Sequence, residues 1–179
     1  MQTHQRIIVR RQIAGRRAKP YAGFLHIGAH IIPCALGRAG VRVRKREGDG
    51  ATPCGVALKI LQVYYRADRI ARPRTPLPVR VLRAQDGWCD AATDRNYNKF
   101  VSLPYRASSE ALWRDDHVYD IILDLSWNRY PVQKGKGSAI FMHLSEVDRQ
   151  GTAGCIALSY DHLRKLMPRL SRKTNIIVL

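Results

Sequence analysis

Short stretches in which apolar and polar residues alternate recur along the chain, at residues 6–10, 40–44, 56–65, 78–82, 118–125, 139–143 and 175–179. A period of two over runs of this length predicts strands, and turn-forming residues cluster between them. Gly48, Gly50, Pro53 and Gly55 punctuate one turn, while Pro73, Pro76 and Pro78 stiffen a connection unsuited to a central strand. Near the end the period changes. Leu163, Leu166, Met167 and Leu170 fall at i, i+3, i+4 and i+7, one apolar helical stripe read as core packing, with Ser159 as its N-cap and Asp161 in its first turn. The pattern predicts a mainly β fold with a short C-terminal helix beginning just after Cys155.

The 179 residues suit a single domain, 1–179, because a core of this length buries about two-thirds of the unfolded surface. No window offers the roughly 20 apolar residues of a membrane span. Lys and Arg number 31 against 14 acidic residues, a net charge of +17 that attracts anionic polymers at long range. Arg6, Arg10, Arg11, Arg16, Arg17 and Lys19 make residues 1–19 a basic segment, expected to be part of the domain, yet the surplus persists without it. Charge spread in this way reads as a solvated basic surface, and nucleic acid is not the expected partner. Only Ile7, Ile8 and Val9 precede Arg10 as an apolar run, so the chain carries no recognisable export signal.

Cys34, Cys54, Cys89 and Cys155 are 20, 35 and 66 positions apart, without the paired spacing of a zinc site, and are read as reduced. The informative stretch runs from Gly137-Ser138-Ala139-Ile140-Phe141-Met142-His143 to Gly151-Thr152-Ala153-Gly154-Cys155-Ile156-Ala157-Leu158. An imidazole converts a neighbouring thiol into a competent nucleophile, and 12 positions allow a return loop that brings Cys155 and His143 together at one end of a sheet. Small residues at Ala153 and Gly154 let a carbonyl approach the backbone there, where N–H groups can form an oxyanion hole.

These residues resemble the active-site signature of the L,D-transpeptidase (YkuD-type) family. "KREGDGATPCG" is similar to its glycine-rich turn through Thr52, Pro53 and Gly55, and "GWCDAATDRNYN" and "YDIILDLSWN" resemble segments of short proteobacterial members. The resemblance implies a sandwich-like catalytic fold and an acyltransferase that needs no metal or organic cofactor. It implies Cys155 as nucleophile attacking a peptidoglycan stem peptide, His143 as base oriented by a backbone carbonyl near Leu144, and Gly154 in the oxyanion hole. Thr152 and Ala153 belong to the substrate-binding motif. The chain departs from the family pattern at Ala153, where a histidine is usual, and at Ala157, where Asn or Arg is usual. Short members with an altered motif imply transfer to a diaminopimelate amine with a 1,3- or a 3,3-cross-link. Hydrolysis by the same site, as a carboxypeptidase or endopeptidase, is the close alternative, and a non-enzymatic basic polymer-binding module is the contrasting one. The family's substrate implies a periplasmic location; the sequence carries no signature of oligomeric state.

His26, His30 and Cys34 have the spacing of helical metal ligands, but Gly28 and Pro33 oppose a helix, so no metal site is expected. Asp49, Asp90, Asp94 and Asp116 are read as solvated loop carboxylates, and most aromatic residues as core. Trp127 and Arg129 are the exception: just ahead of the His143 strand, they are expected along a substrate groove, with Arg129 facing a stem carboxylate.

Overall fold

The computed structural model describes residues 6–12, 19–145 and 151–179. His4, Arg16 and Arg17 lie outside the described residues. In chain order the strands are β1 (Arg6–Arg11), β2 (Ala22–Ile27), β3 (His30–Ala35), β4 (Val41–Arg42), β5 (Thr52–Pro53), β6 (Ala57–Tyr65) and β7 (Val79–Val81). They continue as β8 (Asp86–Cys89), β9 (Phe100–Ser102), β10 (Ser109–Ala111), β11 (Ile121–Leu125), β12 (Phe141–Leu144), β13 (Ile156–Leu158) and β14 (Asn175–Val178). The helix α1 (Tyr160–Leu166) runs into a single 3₁₀ turn, Met167–Arg169.

The fold is mainly β, as the alternating pattern predicts. Nine strands form one sheet in the order β11-β12-β13-β3-β2-β1-β14-β6-β7, and β6 also pairs β11 on its other edge. The sheet therefore curls into a ring whose opposite walls face each other across one core, with Ile7, Val9, Leu25, Leu58, Leu123, Met142, Ile156 and Val178 inside. Leu163, Leu166, Met167 and Leu170, the predicted helical stripe, join that core. Ser159 caps α1 by accepting the His162 N–H, as its position predicts.

The outer face of β11 and β12 is buried as well, which explains why these strands read as nearly continuous apolar runs. A three-stranded sheet, β10-β8-β9, packs there. Trp88 and Leu112 from this layer meet Tyr64, Ile122, Phe141 and Cys155 from the ring. Trp88 stands edge-on to Phe141 at 5.1 Å between centroids, and its indole N–H donates to Asn98 Oδ1 at 3.0 Å. A short parallel pair, β4 with β5, anchors the loop that borders the site.

His26, His30 and Cys34 lie on a hairpin: His26 pairs with Ile31, Ile27 with His30 and Gly23 with Cys34. Gly28 supplies the turn with φ +56°. All four cysteines are free thiols. Asp49 and Asp94 are not solvated. Asp49 pairs with buried Lys45 at 2.5 Å and accepts the Arg46 and Ala51 N–H groups, while Asp94 accepts from the Asn96 N–H and the Tyr105 hydroxyl. Each carboxylate replaces water with these donors.

Candidate active site

Strands β12 and β13 are parallel neighbours, with His143 level with Ala157 and Met142 level with Ile156. Side chains alternate along each strand, so His143 and Ala157 share the outer face, and Cys155, two residues before Ala157, comes to the same face at the mouth of β13. The sequence folds this way because Met142, Leu144, Ile156 and Leu158 take the inner face and fill the core. Cys155 and His143 line one cavity of about 590 Å³.

A glycine-dependent turn presents the cysteine. Gly154 adopts φ +144°, and a Cβ there would lie 2.9 Å from the Ala51 carbonyl oxygen. The Thr152 hydroxyl accepts the Gly154 N–H at 3.1 Å and donates to the Cys155 carbonyl at 2.7 Å; the Thr52 hydroxyl reaches the same carbonyl at 3.3 Å. Gly154→Ala is expected to destabilise the fold by about 1–3 kcal/mol through strain in this turn. Chemical denaturation checks this, and an unchanged midpoint would show that the turn relaxes freely.

The thiol donates to the Ala139 carbonyl at 3.2 Å and accepts the Phe141 N–H at 3.3 Å. Ala139 holds φ +50°, a left-handed conformation secured by its N–H bond to Asn98 Oδ1 at 3.1 Å. Burial, reinforced by the charge of Glu110, pushes the Cys155 pKa up to about 12. His143 is also buried, and burial lowers its pKa to about 4 although the Leu144 carbonyl opposes the shift. The resting pair is therefore a neutral thiol and a neutral imidazole. His143 Nδ1 lies 2.7 Å from the Leu144 carbonyl oxygen. A carbonyl only accepts, so Nδ1 carries the hydrogen and Nε2 keeps a lone pair. Tyr119 packs edge-on to the imidazole at 5.1 Å.

Thr152 and Ala153 line the same cavity, and Leu144 contributes its carbonyl beside it. Trp127 and Arg129 are not brought there. The Trp127 indole donates to the Lys136 carbonyl at 2.8 Å and borders a separate hollow with Asn128 and Tyr130. Arg129 is held by both oxygens of buried Asp124 at 3.0 Å and lies over the Trp88 ring, so its guanidinium is already committed. Sequence order alone suggested proximity to the histidine; the guanidinium of Arg129 instead braces Trp88.

Several lining residues had no signal in the sequence. Arg38, Asp90, Glu110, Arg114 and Tyr119 come from distant segments that only the layered packing assembles. The Gly137-Ser138 motif is tied to the loop before β5 through Glu47, which accepts from Ser138 at 2.8 Å and from the Tyr97 hydroxyl. No group of metal-ligating side chains is assembled among the described residues.

The profile of the L,D-transpeptidase catalytic domain (YkuD) matches residues 22–178. The chain belongs to this family. Its members act on peptidoglycan, generally in the cell wall or periplasm. A comparison with curated protein sequences finds no match. The crystal structure of Mycobacterium tuberculosis L,D-transpeptidase 1, solved at 1.89 Å, aligns with this L,D-transpeptidase-family chain at 12% identity and a TM-score of 0.40. The alignment covers 97% of the present chain and 62% of the mycobacterial one, so the chain spans under two-thirds of that protein's length. Among the described residues no helix is long and apolar enough to cross a membrane.

Proposed function

We propose that this L,D-transpeptidase-family protein is a periplasmic, cysteine-dependent acyltransferase that cross-links peptidoglycan, with Cys155 as nucleophile and His143 as general base. The observation that carries the reading is the hydrogen bond from His143 Nδ1 to the Leu144 carbonyl, which leaves the lone pair on Nε2 of a residue that lines the same cavity as the thiol. A neutral thiol is a poor nucleophile, so its proton must leave as the C–S bond forms. In this reading Nε2 takes the Cys155 proton as sulfur attacks a stem-peptide carbonyl. The resulting imidazolium protonates the departing amine, leaving a thioester. The diaminopimelate amine then displaces the sulfur, forming the amide cross-link.

The turn at Thr152 and Gly154 supports the geometry of attack by fixing the Cys155 backbone. Gly154 gives its N–H to Thr152 here, and joins an oxyanion hole by exchanging that hydroxyl for the developing alkoxide. Arg38, exposed and lining the cavity, supplies a cation for a stem carboxylate in place of Arg129.

The test compares wild type with Cys155→Ala on purified peptidoglycan, followed by muramidase digestion and tandem mass spectrometry of the muropeptides. Dimers made only by wild type are expected, with fragmentation placing the bond at stem position 1 or 3. Stems shortened without dimers would replace transfer by hydrolysis, and identical profiles from both proteins would sink the cysteine mechanism.

A further inference from the structure

Two carboxylates in the cavity neither attack nor carry a proton in acylation as described above, although the charge of Glu110 helps to raise the Cys155 pKa. Asp90 follows β8 and Glu110 lies on β10, adjacent strands of the outer layer, joined there by the Asp90 N–H bond to the Ser108 carbonyl at 3.2 Å. Both line the cavity that holds Cys155 and His143. Asp90 Oδ1 is fully shielded and has no hydrogen-bond partner, alone in this among the described side-chain atoms. Glu110 accepts the Tyr119 hydroxyl at 2.7 Å through Oε1, while its second oxygen has no partner among the described residues. Arg114 stands 4.0 Å from Glu110 and is turned to Asp116, which takes three hydrogen bonds from it.

We infer that Asp90 and Glu110 form the binding site for the ammonium group of the acyl acceptor, with Glu110 taking the ammonium's first proton. The inference rests on the transpeptidase reading and deepens it by naming the groups that recognise the incoming amine. An unpartnered acceptor atom shielded from water is costly unless a donor arrives, and a primary ammonium brings three donors and the opposite charge both to it and to the open oxygen of Glu110, whose side chain stays 27% exposed. Burial, with the charges of Asp90 and Asp116, raises the Glu110 pKa against the Tyr119 hydroxyl and Arg114, which makes Glu110 a better base than a solvated carboxylate. The chemistry balances. The ammonium gives one proton to Glu110, and the neutral amine attacks the thioester carbonyl. The C–N bond forms, and the second proton passes through His143 Nε2 to the sulfur as the C–S bond breaks. Tyr119, touching both Glu110 and the imidazole ring, holds the acceptor site against the base.

The test separates the half-reactions. Wild type, Glu110→Gln and Asp90→Asn are acylated with a stem tetrapeptide, and the Cys155 thioester is measured by intact-protein mass spectrometry. Each thioester is then resolved by a diaminopimelate-containing peptide or by hydroxylamine, a small neutral nucleophile. Glutamine still accepts from Tyr119, so the packing is preserved. Transfer to the peptide is expected to fall roughly tenfold to hundredfold in both variants, mostly as a raised KM, as for a lost hydrogen bond to a charged group. Hydroxylamine cleavage should stay within about twofold of wild type. Wild-type transfer to the peptide by both variants, or an equal loss with both nucleophiles, would overturn the assignment. Absence of a thioester on wild type would instead remove the transpeptidase reading itself, and this inference with it.

Discussion

Acylation of Cys155 is expected to slow by about 10²–10⁴-fold in His143→Ala, with the fold intact, the range that a positioned general base contributes. The size follows from the pairing of a thiol whose pKa is pushed to about 12 with an imidazole held neutral. Neither group carries charge at rest, so without Nε2 the thiol has no internal base. A pH signature accompanies the effect. Burial depresses the His143 pKa to about 4, so the base stays competent below the usual imidazole range. The acid limb of wild-type acylation is expected near pH 4, measured by thioester formation against pH; a limb near 6.5 would mean that the imidazole is solvated.

Arg129→Ala is expected to cost about 3–5 kcal/mol of stability, because removing one partner strands a buried charge. Asp124 keeps only 2% of its side chain exposed, and burial raises its pKa to about 7 despite the guanidinium at 3.0 Å. A carboxyl whose folded pKa lies above its unfolded value contributes stability that is fully present below that unfolded value and is lost as pH rises through about 7. Without Arg129 the carboxyl becomes harder still to ionise. Urea unfolding should therefore give a larger loss at pH 8 than at pH 5. A loss confined to substrate affinity, with stability unchanged, would restore Arg129 to the groove.

The strands of the ring were legible where one face is core and the other is not, or where both faces are apolar, as in β6 and β11. The hairpin of β2 and β3 was not, because His26 and Pro33 interrupt its apolar rhythm and Gly28 reads as a simple breaker until the turn is seen. The small sheet was equally hidden: its strands are three or four residues long, too short for a period to register. In the site, the nearness of Cys155 and His143 could be anticipated because both lie in one short stretch of sequence, and the Leu144 carbonyl was what the family resemblance implied. Glu110, Asp90 and Tyr119 could not, since their nearness to the thiol arises only from one layer packing on another. Arg129 marks the converse limit. Being near in sequence to a catalytic strand says nothing about which carboxylate a guanidinium will find first.

The family profile begins at residue 22, but the folded unit does not. Strand β1 lies between β2 and β14, antiparallel to one and parallel to the other, and contributes Ile7 and Val9 to the interior. A fragment trimmed to the profile would leave two rows of unsatisfied peptide groups facing each other across an empty slot. Such a slot is a docking place for any free strand, including β1 of another molecule. Where homology starts and where the sheet starts are separate positions in this protein.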